Sequence, residues 1–259
     1  MDSRKQGALT KEAYWSEIWQ SDRDNQNLID PASDEYRDFH EFFRTAFADH
    51  KGRLLEIGCG GSRWLPYFAR QFGFEVWGID YSSTGCQKAS AILASTRVPG
   101  TVLERDAFAP NEDLLEEFDV VVSLGLVEHF ADTADAVRSL ARYVKPGGLL
   151  VSTAPNLAGL IGKTQRVLNR EIFEGHIPFT LERLANAHEE AGLSVQTAAY
   201  IGSLDFRWLN LHGTQERWKW ISYRVLSRLT RIGWKLPISV PRTRVWSVAL
   251  GVGARKGAP

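Results

Sequence analysis

The chain has 259 residues, of which 44% are hydrophobic and 24% charged, and its formal net charge is zero. That is enough apolar chain for one large α/β domain, while the balanced charge gives no bulk attraction to nucleic acid or to acidic lipid. Cys59 and Cys86 are too few for a disulfide framework, no apolar run is long enough to span a membrane, and the opening "MDSRKQGALTKEAYW" lacks a signal-peptide core, so a cytosolic protein is expected.

Residues 8–48 carry Tyr14, Trp15, Trp19, Phe39, Phe42, Phe43 and Phe47 at helical spacing around a polar break, which predicts two N-terminal helices. After Gly52 the texture changes to short apolar runs alternating with amphipathic stretches. Strands are expected at 53–57, 75–79, 101–105, 118–124 and 149–154, with helices at 63–72, 83–94 and 131–144 between them. The run "FDVVVSL" is nearly all apolar, as suits a strand covered on both faces. "KPGG" at 145–148 ends the helix before the fifth strand. Further helices are expected at 157–170 and 180–191, a strand at 194–201, a helical stretch from about 207 to 232, and a last strand at 244–254.

Strands alternating with helices in this way predict an α/β fold, a doubly wound and mostly parallel sheet of seven strands. It has N-terminal helices and a helical insertion before the last strand. No linker interrupts it, so residues 1–259 read as one domain. Within it, 1–50 form a helical lid, 51–155 a ligand-binding core, and 156–259 the substrate-side elements and last strands.

In an open parallel sheet, ligands bind beyond the carboxyl ends of the strands. "LLEIGCGGS" at 54–62 is such a place. Gly58 and Gly60 can take positive φ and admit a ligand to the backbone, and the following helix aims its amides at the same spot. Arg63 occupies the place of the third glycine of a dinucleotide fingerprint, and the Walker spacing is absent, which disfavours a pyrophosphate. Asp80 closes the second strand in "GIDYS", where a carboxylate can accept ribose hydroxyls. Glu56 before the glycines would repel a pyrophosphate and attract an ammonium or sulfonium. A positively charged nucleoside without phosphates fits all three. Each feature alone serves equally as a simple turn or a helix cap.

Taken in order, these segments resemble the class I methyltransferase superfamily over residues 50–155. "LLEIGCGGS" matches its first motif with Ser62 in place of the third glycine, which implies a slightly wider turn. The resemblance implies S-adenosylmethionine as cofactor, held by Glu56, Gly58, Gly60, Asp80 on the ribose and Tyr81 against the adenine. "ERDAF" implies Asp106 on the adenine amino group and the amide of Ala107 on a ring nitrogen. "FDVVVSLGLVEHF" followed by "VKPGG" implies that backbone near Ser123 and Leu124 meets the methionine end. The activity implied is methyl transfer to an oxygen or nitrogen of a small molecule.

His129, with Glu128 to orient it, is the candidate base for the acceptor's proton; both serve equally as caps of the next helix. The same stretch resembles the quinone-biosynthetic O-methyltransferases, whose E-x-x-E-H places a divalent metal. Gly125 stands where the first acid should be, so no metal is expected. His176, in "FEGHIPFT", is a candidate substrate contact or a loop hydrogen-bonder. Tyr14 and Trp15, with Trp19, form a candidate lid over the site, or an aromatic helix packed on the core.

From Arg207 to Arg244 nine Lys/Arg face only Glu216, interleaved with Trp, Leu and Ile. This segment is a candidate peripheral membrane contact, a cover for an apolar substrate, a contact to an RNA backbone with aromatic stacking, or a surface helix with solvated charges. The absence of a D/N-P-P-Y/F tetrad after the fourth strand and the neutral charge disfavour a nucleic-acid partner. The alternative readings are a membrane-associated methyltransferase of a lipid, quinone or lipid-linked glycan, and a non-catalytic protein that keeps the cofactor fold.

Overall fold

The computed structural model describes Trp19, residues 28–235 and residues 240–258. Its strands and helices follow in order: α1 (Arg37–Phe47), β1 (Arg53–Ile57), α2 (Trp64–Phe72), β2 (Glu75–Asp80), α3 (Ser83–Thr96), β3 (Gly100–Glu104), β4 (Phe118–Leu124), α4 (Thr133–Ala141), β5 (Val144–Pro155), α5 (Leu160–Leu168), α6 (Arg170–Glu174), α7 (Leu181–Glu190), β6 (Leu193–Ile201), α8 (Arg217–Gly233) and β7 (Ala249–Lys256). The sheet has seven strands in the order β3-β2-β1-β4-β5-β7-β6. The first five are parallel, and β7 runs antiparallel between β5 and β6. The doubly wound expectation holds.

Period-two alternation sends neighbouring residues to opposite faces. On one side Leu54, Val76, Val120, Val122, Leu149 and Val151 pack under α1, α2 and α3. On the other, Leu55, Ile57, Ile79, Val121 and Leu150 meet Val137 and Leu140 of α4 and Leu184 of α7. Covering both faces is why the strands read as continuous apolar runs. α1 is fastened through rings: Phe43 lies 5.1 Å from Phe68 and 5.4 Å from Trp64, and Phe47 lies 5.1 Å from Phe72. Of the two N-terminal helices expected, α1 is the second; the first falls largely outside the described residues, as do Tyr14 and Trp15.

The helix expected at 157–170 is two, Leu160–Leu168 and Arg170–Glu174, and three boundaries differ most from expectation. β5 begins at Val144 rather than 149, because Gly147 takes φ 79° and the "KPGG" bend is absorbed into the strand. The helix expected from 207 begins at Arg217, after a short 3₁₀ turn at Phe206–Trp208 and the Gly213 turn at φ 74°. β7 begins at Ala249, since Trp246 and Ser247 are drawn into a turn by hydrogen bonds to the Thr243 carbonyl.

Candidate active site

The carboxyl ends of β1, β2 and β4 are level, with Ile57 paired to Ile79 on one side and Ser123 on the other. Beyond them the chain turns sharply. The amides of Gly58 and Cys59 both donate to the Ile79 carbonyl, at 2.9 and 3.2 Å. Positive φ falls at Gly58 (78°) and Gly61 (62°), not at Gly60 as the sequence suggested. Gly60 is needed for space instead. A Cβ there would lie 2.6 Å from the indole of Trp19, which rests on the bare backbone of the turn.

Two acids sit under this turn. Asp80, 8% exposed, accepts from the amides of Gly60 (2.9 Å) and Ser82 (2.7 Å), and so ties the end of β2 to the glycine turn. Glu56, 3% exposed, shares the single Ser62 hydroxyl proton between its two oxygens, at 2.8 and 2.7 Å. Burial pushes the Glu56 carboxyl up to about 8, helped by the nearby Asp80 charge, and burial raises Asp80 as well. Among the described residues no Lys or Arg pairs with either. Two neighbouring buried acids without a cation form a seat for one. Ser62 does more than widen the turn: its oxygen also accepts from the Trp64 amide, joining Glu56 to the start of α2.

The remaining cofactor candidates lie around the same rim. Tyr81 is half-buried directly after β2. Asp106 turns its carboxylate back onto the Phe108 amide (2.9 Å). Asn111 donates to the Asp106 carbonyl, and the Tyr143 hydroxyl donates to the Ala107 carbonyl, so the loop after β3 is held from beneath. Leu124 ends β4 opposite Thr153 of β5.

The loop after β4 borders the glycine turn, because a Cβ at Gly58 would lie 3.7 Å from Leu126. Here Glu128 (1% exposed) and His129 (2%) are both buried. The segment after α6 closes on them: the Ile177 amide donates to the Glu128 carbonyl at 2.8 Å. His129 Nδ1 meets the Gly175 carbonyl at 2.8 Å, and His176 Nδ1 the Ile172 carbonyl at 2.6 Å. The two imidazoles lie 4.3 Å apart between centroids. Burial pushes Glu128 up to about 8 and His129 down to about 3, the latter aided by His176. His129 therefore stands as a neutral imidazole, a weaker proton acceptor than its ordinary value near neutrality suggested.

A family model described as a methyltransferase domain matches residues 29–198. The chain belongs to this methyltransferase family. The ubiquinone biosynthesis O-methyltransferase of Alkalilimnicola ehrlichii is 36% identical over 106 residues, 40% of this chain and 42% of the relative. That of a Methylobacterium species is 31% identical over 199 residues, 64% of this chain and 75% of the relative. The chain thus spans under half the length of the first relative and three quarters of the second. A SAM-dependent methyltransferase from Archaeoglobus fulgidus shares the fold at TM-score 0.55 and 16% identity, over 95% of this chain and 100% of that one.

The methyltransferase has the Rossmann-like α/β fold that solved SAM-dependent methyltransferases share. The residues present fit S-adenosylmethionine, since among the described residues no Lys or Arg pairs with the acids under the turn, and a sulfonium or ammonium would supply that charge. Sequence reasoning named His176 and Glu128–His129 separately and missed that they form one cluster. The methyltransferase also carries α8, well apart in sequence from these motifs. Among the described residues no helix is long and apolar enough to cross a membrane.

Proposed function

We propose that this methyltransferase moves the methyl group of S-adenosylmethionine to a hydroxyl oxygen of a small, largely apolar acceptor. The observation that carries the reading is the buried acid pair Glu56–Asp80 under a turn of bare backbone, with no Lys or Arg paired to it among the described residues. When bound, the cofactor supplies a methyl group on a sulfonium leaving group, so the chain's task is alignment and exclusion of water. Glu56 offers its carboxylate to the positive end, Asp80 to the ribose while fixing the turn, and Tyr81, Asp106 and the Ala107 amide to the adenine. The backbone at Leu124 closes the methionine side.

The acceptor hydroxyl lies against Glu128, His129 and His176. Glu128, held near 8, is placed to take the proton, and the neutral His129 to orient the oxygen. The names of the two curated relatives, both ubiquinone biosynthesis O-methyltransferases, support oxygen as the accepting atom. The test is calorimetry with S-adenosylhomocysteine together with label transfer from methyl-labelled cofactor to a panel of phenols, alcohols and amines. Submillimolar binding and labelled methyl ethers are expected. Binding without transfer to any acceptor favours a non-catalytic protein, and labelled amines alone overturn the choice of oxygen.

A second observation favours a membrane-associated version of this enzyme. α8 carries Arg217, Lys219, Arg224, Arg228 and Arg231 and no acid. It sits on the protein by a mixed face: Ser227 and Thr230 are buried, Tyr223 and Leu226 pack against the core, and the Thr230 hydroxyl accepts from the Phe206 amide. Five further apolar residues face outward, with Trp218 53%, Ile221 50%, Val225 51%, Leu229 55% and Ile232 58% exposed. At the α-helical period these five fall in a sector about 80° wide, with the arginines along one flank. A helix that exposes an apolar sector beside a row of arginines suits an anionic lipid surface, and an apolar acceptor would be met there. Sedimentation with phosphatidylglycerol vesicles, lost at high salt and in Ile221→Asp/Leu229→Asp, is expected. A chain that stays in the supernatant at low salt removes this version.

A further inference from the structure

We propose that Trp19 is a positioning residue for the cofactor turn: its indole, seated on Gly60, Gly61 and Gly85, fixes the backbone on which the ligand lies. The inference deepens the cofactor site and rests on the S-adenosylmethionine reading of that turn. Trp19 acts through Gly60 rather than on the reacting atoms.

The bare positions of the seat are explained by the ring. Neither Gly60 nor Gly85 has a positive φ, so backbone conformation does not demand glycine at either. Gly85 lies in the first turn of α3, where glycine loses more chain entropy than any other residue. Crowding is what excludes a side chain. A Cβ at Gly60 would lie 2.6 Å from Cε2 and Nε1 of the indole, and one at Gly85 would lie 3.3 Å from its Cδ1 and Nε1. At Gly61, where a φ of 62° already favours glycine, a Cβ would lie 3.1 Å from Cε3 and Cζ3. The pyrrole edge therefore covers Gly60 and Gly85, and the benzo edge covers Gly61. The Gly61 amide donates to the Gly85 carbonyl at 3.1 Å, which makes the turn and the start of α3 one seat.

Gly60 is held from two sides. Its amide donates to Asp80 at 2.9 Å, and its α-carbon faces the indole. Asp80 sets the direction of that amide, while the ring limits how far the α-carbon can move. Ser62, two residues on, bonds both oxygens of Glu56, so the two buried acids depend on the shape of the same short backbone. A glycine-rich turn has the widest conformational range and resists motion poorly by itself. An aromatic ring with two side-chain torsions holds it at low entropic cost. Misplacing a site by about 1 Å can cost about 100-fold, so a turn released from the ring keeps its ligand partners and loses their alignment.

The test reads the turn first without ligand and then with it. Amide hydrogen exchange on the unliganded full chain, followed by mass spectrometry over residues 56–64, needs no cofactor. Exchange there is expected to rise about 10-fold in Trp19→Ala, with β4 and β5 unchanged. Trp19→Phe, which keeps a ring, stays close to wild type. On the same proteins, S-adenosylhomocysteine affinity by calorimetry should fall about 10-fold in Trp19→Ala and recover in part with 3-methylindole, which refills the vacated seat. In label transfer, KM for S-adenosylmethionine rises while kcat holds, the pattern of a residue that acts on binding. If wild type binds no S-adenosylhomocysteine while the exchange responds, the positioning role stands and the cofactor reading falls. Unchanged exchange in Trp19→Ala overturns the proposal. So does tighter S-adenosylhomocysteine binding in that variant, because the ring would then compete with the ligand for the turn.

Discussion

The Asp80 carboxylate accepts a hydrogen bond from the Gly60 amide at 2.9 Å, and this single bond fastens the end of β2 to the turn after β1. Its other oxygen takes the Ser82 amide, so one side chain shapes both loops that flank the ligand. Asp80→Ala therefore removes a ribose acceptor and frees the turn together. Hydrogen bonds to a charged group contribute about 1.5–3 kcal/mol, so S-adenosylhomocysteine affinity should fall about 10- to 100-fold by calorimetry. An unchanged affinity would remove Asp80 from the cofactor site.

Glu56 gives a pH signature. Its folded-state carboxyl is raised to about 8, above its ordinary 4.5. Between those values the folded apo chain holds a proton that the unfolded chain does not, so this group's contribution is full below about 4.5 and lost as pH rises through about 8. A cationic ligand favours the ionised form, so binding below pH 8 should release a proton. Cofactor affinity should rise with pH up to about 8. Calorimetry in buffers of differing ionisation enthalpy measures the release, and Glu56→Gln should abolish it. If wild type releases no proton at pH 7, Glu56 does not face the positive charge.

Gly85 offers a test of the turn that touches no acid. A Cβ there would lie 2.8 Å from the Gly60 backbone Cα and 3.3 Å from Trp19. Backbone cannot yield as a flexible side chain can, so Gly85→Ala must push the turn out of shape. A loss of stability of about 1–3 kcal/mol is expected from overpacking, with weaker cofactor binding. Denaturant melts and calorimetry on the same variant check both, and wild-type values in each would show that the turn is loosely held.

The parallel half of the sheet was legible because each strand is covered on both faces, which makes its apolar run unmistakable, and because Glu56, Asp80 and Asp106 stand at strand ends. What escaped depends on contacts between distant segments. Nothing local shows that His176 reaches His129, since the contact depends on the Ile177 amide finding the Glu128 carbonyl. Gly60 was assigned a left-handed φ, but its constraint is the Trp19 ring, which only the folded chain reveals. The helical period around 207–232 was legible, yet the period alone cannot say which face packs. In α8 the packed face carries Tyr223, Leu226, Ser227 and Thr230, while a second apolar sector stays exposed.

His188 sets an acid limit that is independent of the cofactor. It is fully buried on α7, with Nδ1 at the Leu184 carbonyl (2.8 Å) and Nε2 at the Ser152 hydroxyl (3.0 Å). Burial lowers its value from 6.5 to about 4. In that window the unfolded chain takes up a proton and the folded chain does not. The contribution is therefore full above about 6.5 and lost as pH falls, reaching about 3 kcal/mol below pH 4. His129, lowered to about 3, acts in the same direction. His188→Gln removes the titration while keeping a donor and an acceptor. Its stability should fall less steeply than wild type between pH 6.5 and 4 in urea melts, even if it is lower at pH 7. Parallel slopes for the two proteins would mean that His188 charges in place, which its contact with Ser152 in the sheet core does not allow.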